Sequence, residues 1–325
     1  MFTLDALNIN AEQVTSRIAA SIREVVLGDF HRKGAVLGVS GGIDSAVVAA
    51  LCTRALGQDR VLALFMPERH SSDDAARLGK LLTDTLGIEA TISVELSGIL
   101  EAAGCYRSQE EAIRTAVPEY GPGWRCKLVL PSILDSDRLN LTRLTVQSPA
   151  GDQQTVRLSH RAYLQLVAAT NYKQRVRKMT EYYHADRMNY AVAGTPNRLE
   201  YDQGFFVKQG DGAADFKPIA HLYKTQVYAL ARHLGVPEEI CARPPTTDTF
   251  SLAQTQEEFY FALPYAQMDL CLYAVDHQIS VSEVGSVLGL SEEQVVRVFR
   301  DIEAKRRAAR YLHLPPQLVE PLHKA

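Results

Sequence analysis

Residues 35–39 (AVLGV) form a short apolar run that passes without a spacer into Ser40-Gly41-Gly42-Ile43-Asp44-Ser45 and then into a helical pattern over 45–57. An apolar run of that length is what a strand buried on both faces needs. The paired glycines allow a tight turn. The helix start behind them offers unpaired N–H groups and the positive end of a dipole. Strand, glycine turn and helix in immediate succession leave few architectures open. The strand has to lie inside a parallel sheet covered by helices on both faces, a doubly wound α/β fold.

The flanking sequence keeps that rhythm. Residues 11–27 carry an apolar stripe at Val14, Ile18, Ile22 and Val25 behind a candidate N-cap, Asn10. Residues 60–66 and 89–94 read as strands, with a helix over 72–87 between them. A long helix is expected over 161–184, a buried strand over 189–194, and a helix over 223–235 ending at Gly235, with Pro237 beyond. Residues 265–312 read as helical, with Ser280 and Ser291 as N-caps and Ser291/Gln294 at capping-box spacing. Between 97 and 160 the rhythm breaks at Pro118, Gly121-Pro122-Gly123, Pro131 and Pro149. There 141–147 and 153–158 alternate around a turn, as a hairpin does. We expect an insertion at 97–160, inside a domain spanning 1–270, and a helical extension of the same domain over 271–325.

The turn at 38–45 suits a phosphate, because its backbone can approach an anion closely at a helix N-terminus. Ser40 and Ser45 add hydroxyl donors. A carboxylate at Asp44 would repel phosphate unless a divalent cation stood between them, which suggests magnesium. The pattern is neither the P-loop of nucleoside triphosphatases nor the dinucleotide fingerprint. Ser-Gly-Gly-x-Asp-Ser is similar to the pyrophosphate loop of the ATP pyrophosphatases, a group that cleaves ATP between its α- and β-phosphates.

The second half is more discriminating. Asn171-Tyr-Lys-Gln-Arg-Val-Arg177, GTPNRLEYDQGFFVKQGDGAAD over 194–215, and PIAHLYKTQV over 218–227 follow one another in order. Together these resemble the NAD synthetase family, across about 35–95 and 165–270. The resemblance implies an ATP site at Gly38, Ser40, Gly41, Gly42, Ile43, Asp44, Ser45, Thr195, Lys224 and Thr246. It implies magnesium at Asp44 and Glu200, catalysis by Asp44, Glu200 and Lys224, and deamido-NAD held by Arg177, Lys208, Asp215 and Lys305. Arg175 and Arg177 are two positions apart on a helix and so face different ways; Arg177 is the expected ligand. Gly210 and Gly212, around Asp211, are open to a plainer reading as a tight turn.

The resemblance implies ATP-dependent amidation of deamido-NAD by ammonia through an acyl-adenylate, in a homodimer. The sequence departs from the family's pattern at Ala253, Gln256 and Ala304. These changes, with the insertion, leave open a ligase for a different carboxylate. A second alternative rests on 280–303, which reads as helix, Gly-Leu-Ser turn and helix, the layout of a DNA-binding regulator. Acids at Glu292, Glu293, Asp301 and Glu303 and a formal net charge of −3 argue against nucleic acid. Five scattered cysteines without a Cys-x-x-Cys pair fit reduced thiols. Neither a signal peptide nor a long apolar span is read, so a cytoplasmic protein with no membrane partner is expected. No glutaminase unit is recognised, so ammonia is expected free or from a separate glutaminase.

Overall fold

The computed structural model describes residues 2–130, 133–134, 142–246, 249–261 and 263–320. Its centre is a four-stranded parallel sheet in the order β3-β2-β1-β7, made of β1 (Ala35–Gly38), β2 (Val61–Phe65), β3 (Thr91–Ser93) and β7 (Ala191–Val192). Side chains alternate across this sheet. Ala35, Leu37, Val61 and Ala63 face one core, packed against α1 (Ala11–Arg23), α2 (Ile43–Leu56) and α8 (Lys224–His233). Val36, Leu62, Leu64 and Val192 face the other, against α4 (Ser97–Ala102), α5 (Cys105–Arg114) and α6 (His160–Met188). Both faces are covered over β1, β2 and β7, which read as unbroken apolar runs, while the edge strand β3 leaves Thr91 and Ser93 exposed.

The topology places the site. From β1 the chain winds outward through β2, α3 (Asp73–Leu86) and β3, then returns through α6 to β7 on the other side of β1. The loops leaving β1 and β7 therefore diverge at one point beyond the strands' carboxyl ends. A crevice at such a switch point is the usual binding place of open α/β sheets.

The insertion is more structured than the proline- and glycine-rich sequence suggests. It contains α4 and α5 and a separate antiparallel sheet of β4 (Arg125–Val129), β5 (Arg143–Gln147) and β6 (Gln153–Val156). The expected hairpin is the β5–β6 pair; its first expected residue, 141, lies outside the described residues. Neither β4 nor the two helices was anticipated. The insertion builds its own core from Ile113, Leu128, Leu144 and Val146, fused to α6 through Leu166 and to the 250 region through Phe250.

The long helix runs from 160 to 188, four residues beyond the expected end, and stops at Asn189 in the left-handed conformation. Asn10, Ser280 and Ser291 cap their helices as expected, and Ser291 with Gln294 closes a capping box. The stretch 265–312 is three helices, α10 (Tyr265–Asp276), α11 (Val281–Leu288) and α12 (Glu292–His313), which follow α7 (Arg198–Gln203) and α9 (Glu238–Cys241). The helix pair read as a DNA-binding unit turns inward. Val295, Val298 and Ile302 of α12 are wholly buried, and Arg306 forks onto Asp202 and Asp276. No helix among the described residues is long and apolar enough to cross a membrane.

Candidate active site

The switch point opens into a cavity of about 990 Å³. That is at the upper end of the range for small-molecule sites, so it accommodates a large ligand. Its floor is the loop after β1. Gly41 adopts φ +76, in the left-handed region, and a Cβ there would lie 3.1 Å from the Ala75 carbonyl oxygen. The turn is held from within: Ser45 Oγ donates to the Gly42 carbonyl at 2.8 Å, and Gly42 N–H donates to Ser40 Oγ at 3.3 Å. Gly42 has no side chain with which to cap α2, so the first N–H groups of that helix receive no side-chain cap.

Opposite the loop, the chain after β7 enters α7 through a capping box. Asn197 Oδ1 accepts from Glu200 N–H at 3.2 Å, and Glu200 Oε2 accepts from Asn197 N–H at 3.1 Å. The same Asn197 donates through Nδ2 to Asp44 Oδ1 at 3.0 Å. One asparagine thus orients both carboxylates proposed for magnesium. Asn-x-x-Glu before a helix is a legible capping signature, and the sequence reading passed over it.

Lys224 completes the group. It opens α8, where the helix dipole disfavours a cation, and it is 1% exposed. Its ammonium donates to Asp44 Oδ2. Burial alone would lower its pKa, but Asp44 and then Glu200 outweigh that and hold it above the usual lysine range. Glu200 is driven the other way, upward, first by burial and then by the charge of Asp44. A cation so placed at a helix start is a buried partner of the Asp44 carboxylate rather than a solvated surface lysine.

Magnesium typically takes one or two protein carboxylates together with phosphate oxygens and water. Asp44 and Glu200, brought together by Asn197 beside the phosphate loop, fit that donor set. Among the described residues no cluster of three or more His, Cys, Asp or Glu forms a cage that would hold a metal by protein groups alone.

Of the other expected residues, Gly38, Ser40, Gly42, Ile43, Ser45, Arg177, Thr195, Thr246 and Lys305 line the cavity. Arg177 reaches it as expected, with Nε donating to the Met66 carbonyl at 3.4 Å, while Arg175 turns to the Lys208 carbonyl. Gly41, Lys208 and Asp215 are not among the residues that line the cavity. Lys208 Nζ donates to the carbonyls of Tyr311 and Leu314 at the end of α12, where a cation suits the helix dipole. Asp215 accepts from Val192 N–H at 2.7 Å and from the Tyr182 hydroxyl at 3.1 Å. Lys305 donates to the Tyr260 carbonyl at 2.7 Å and pairs with Asp301.

Lys178 with Glu181 and Lys173 with Glu68 went unread. Lys178 and Glu181 form a buried pair at 2.6 Å, and Glu181 is pushed upward by burial. Asp211 is likewise raised by burial and accepts from Val207 N–H at 2.8 Å, so the glycine segment is both a tight turn and a cavity wall. Beneath the wall, Lys173 is fully buried and donates to Glu68 Oε1 at 3.0 Å, His70 Nδ1 at 2.8 Å and the Thr249 carbonyl at 3.1 Å. Burial pushes Glu68 up, but Lys173, His70 and the Tyr106 hydroxyl together hold it below its ordinary value. The remaining wall is formed by Leu128 and Leu130 of the insertion, Tyr163 of α6, and Phe250, Phe259 and Tyr260.

The sequence profile of the NAD synthase family matches residues 14–118 and 139–309. The NH3-dependent NAD+ synthetase of Mesorhizobium japonicum is 65% identical over 312 residues, covering 96% of this chain and 98% of that protein. By fold, the chain resembles the NMN synthetase of Francisella tularensis, with a TM-score of 0.67 at 21% identity, over 96% of this chain and 99% of that one. It also resembles the NH3-dependent NAD synthetase of Campylobacter jejuni, with a TM-score of 0.62 at 23% identity, over 96% of this chain and 100% of that one. At these identities the two solved structures establish the fold alone.

Proposed function

The chain belongs to the NAD synthase family, ligases that form a C–N bond, and we propose that it converts deamido-NAD to NAD with ATP and ammonia. The observation that carries this reading is the meeting of the glycine loop with Asp44, Asn197, Glu200 and Lys224 at the switch point of one large cavity. A helix N-terminus for phosphate, a paired lysine and two carboxylates are what cleavage between the α- and β-phosphates of ATP requires.

In the reaction, a carboxylate oxygen of the nicotinate ring attacks the α-phosphorus, and the bond to the bridging oxygen breaks as pyrophosphate leaves. The α2 N-terminus, Ser40, Ser45 and Lys224 hold the phosphates and stabilise the charge that develops. Magnesium, held by Asp44 and Glu200, would neutralise the departing pyrophosphate. The nitrogen lone pair of ammonia then attacks the acyl carbon, AMP leaves with the bonding electrons, and the nitrogen sheds its proton. Asp211, buried in the wall with a raised pKa, suits the role of accepting a proton from ammonium. Unchanged ammonia kinetics in Asp211→Asn would remove it from that role. Arg177 is the cavity cation we assign to deamido-NAD, with Thr195 and Thr246 toward ATP and Lys305 toward the aromatic end.

Ammonia, free or from a separate glutaminase, is the nitrogen donor we assign, in keeping with the NH3-dependent relatives. The five cysteines are all buried free thiols, which accords with a cytoplasmic protein. We take 1–270 as the synthetase domain and 271–325 as its helical extension, because Leu199 and Tyr223 share a core with Met268, Val298 and Ile302. We further propose a homodimer through the outer face of α6, where Leu164, Tyr172, Met179 and Tyr183 recur at helical spacing and are 51%, 40%, 62% and 63% exposed.

The test is release of AMP and pyrophosphate from ATP, magnesium and ammonium with a panel of carboxylates that includes deamido-NAD. Release that depends on deamido-NAD and matches NAD formed supports the proposal. Release triggered by another acid alone keeps the adenylating chemistry and rejects the substrate.

A further inference from the structure

The segment 249–258 lines part of the cavity through Thr249, Phe250 and Gln256 and runs as an irregular neighbour of β4. Leu252 N–H donates to the Cys126 carbonyl at 3.0 Å, Leu130 N–H to the Glu258 carbonyl at 2.7 Å, and Ser251 Oγ accepts from Cys126 N–H at 2.9 Å. Lys127 reaches across to both oxygens of Glu258 at 3.0 Å and to the Ala253 carbonyl at 3.4 Å. At its start, Lys173 holds the Thr249 carbonyl. The insertion's sheet and α6 thus fix both ends of this strap. Between them Gln256 donates through Nε2 to Glu200 Oε1 at 3.0 Å. Glu200 Oε2 is already taken by Asn197, so each oxygen of that carboxylate has a fixed partner.

The amide is chemically decisive at this place. It brings a donor to a buried carboxylate. A glutamate of the same length would set two carboxylates in contact, and they would repel unless a cation or a shared proton stood between them. We propose that Gln256 is a positioning residue, carried by the insertion's sheet, that orients Glu200 and seats the strap along the cavity without needing a divalent cation. The cation-dependence rests on the assignment of Glu200 to the cation site; seating of the strap by Gln256 does not.

Hydrogen–deuterium exchange of the 249–258 amides, measured on the full-length protein without nucleotide, in EDTA and in magnesium, tests the proposal. The wild type should show the same protection in both. At alkaline pH, where no shared proton bridges the pair, Gln256→Glu should lose protection in EDTA and regain it in magnesium. Gln256→Ala should lack it in both, with turnover reduced roughly ten- to a hundredfold, the range for a lost hydrogen bond to a charged group. Lys127→Met, which keeps Gln256 and Glu200 unchanged, should also raise exchange along the strap, and it tests the tie to the insertion if Gln256→Ala folds poorly. Wild-type protection that appears only with magnesium would overturn the proposal. So would a Gln256→Glu protein as protected in EDTA at alkaline pH as the wild type, because that is how a merely space-filling residue behaves. Neither exchange result depends on turnover, so failure of the assigned reaction would be seen separately.

Discussion

At the scale of single residues, the site is organised by Asn197, which has no reactive chemistry of its own. Its amide satisfies the α7 N-terminus and Asp44 together. Asn197→Ala should therefore lose about 1 kcal/mol of stability as a lost cap, and turnover should fall roughly tenfold or more as Asp44 and Glu200 drift from register. Chemical denaturation and steady-state kinetics separate the two effects. A second prediction concerns His70. Burial, and next the charge of Lys173, push its imidazole down to about 4. In the unfolded chain the ring titrates near ~6.5, so between these values the unfolded state holds the extra proton. Stability from this residue is present above about 6.5 and is lost as pH falls toward 4. His70→Asn keeps an acceptor for Lys173 and removes the titration. Its unfolding free energy should be flatter over that window by on the order of 2–3 kcal/mol, measured by denaturant unfolding from neutral pH downward.

At the scale of elements, the loop between β1 and α2 depends on Gly41. Gly41→Ala puts a side chain into the left-handed region at roughly 1–2 kcal/mol and crowds α3, so the turn must shift under the phosphates. The KM for ATP should rise several-fold or more. Gly57→Ala is the control. Gly57 has φ +90 with open space around it, away from the cavity, so that variant should cost stability and leave the KM unchanged. This loop was legible from sequence because strand, turn and helix are local and each has its own residue signature. The central strands, α2, α3 and α8 were legible for the same reason, to within a few residues at each end. The insertion was not. Its β4 is stabilised by pairing with β5 and with 251–258, which sequence periodicity cannot reveal. Nor were Lys178 with Glu181 and Lys173 with Glu68 legible, because charged residues on a helix read as solvated until its partners are known. Lys208 shows the converse. A motif supplied its role, yet its side chain caps α12, a contact over a hundred positions away.

At the scale of the whole molecule, α6 joins functions that most folds divide among several elements. One side carries Arg177, Lys178 and Glu181 into the cavity, another packs on the sheet, and a third is the exposed apolar stripe. If that stripe forms the dimer contact, Met179→Asp together with Tyr183→Asp should give monomers in sedimentation at concentrations where the wild type is dimeric. Because α6 also walls the cavity, turnover should fall with dissociation, and dilution of the wild type should reproduce the loss.

The burial of all five cysteines has a practical consequence. Burial pushes the thiols of Cys52 and Cys271 up to about 12, and it raises Cys105, Cys126 and Cys241 as well. Buried and held in the protonated form, these thiols react slowly with thiol reagents. A single cysteine introduced on the outer face of α6 or on the strap would be the one fast-reacting position, usable for a fluorophore or spin label without first stripping the native sulfurs. The native thiols would then serve as an internal clock, since each would react only as often as its part of the core opens.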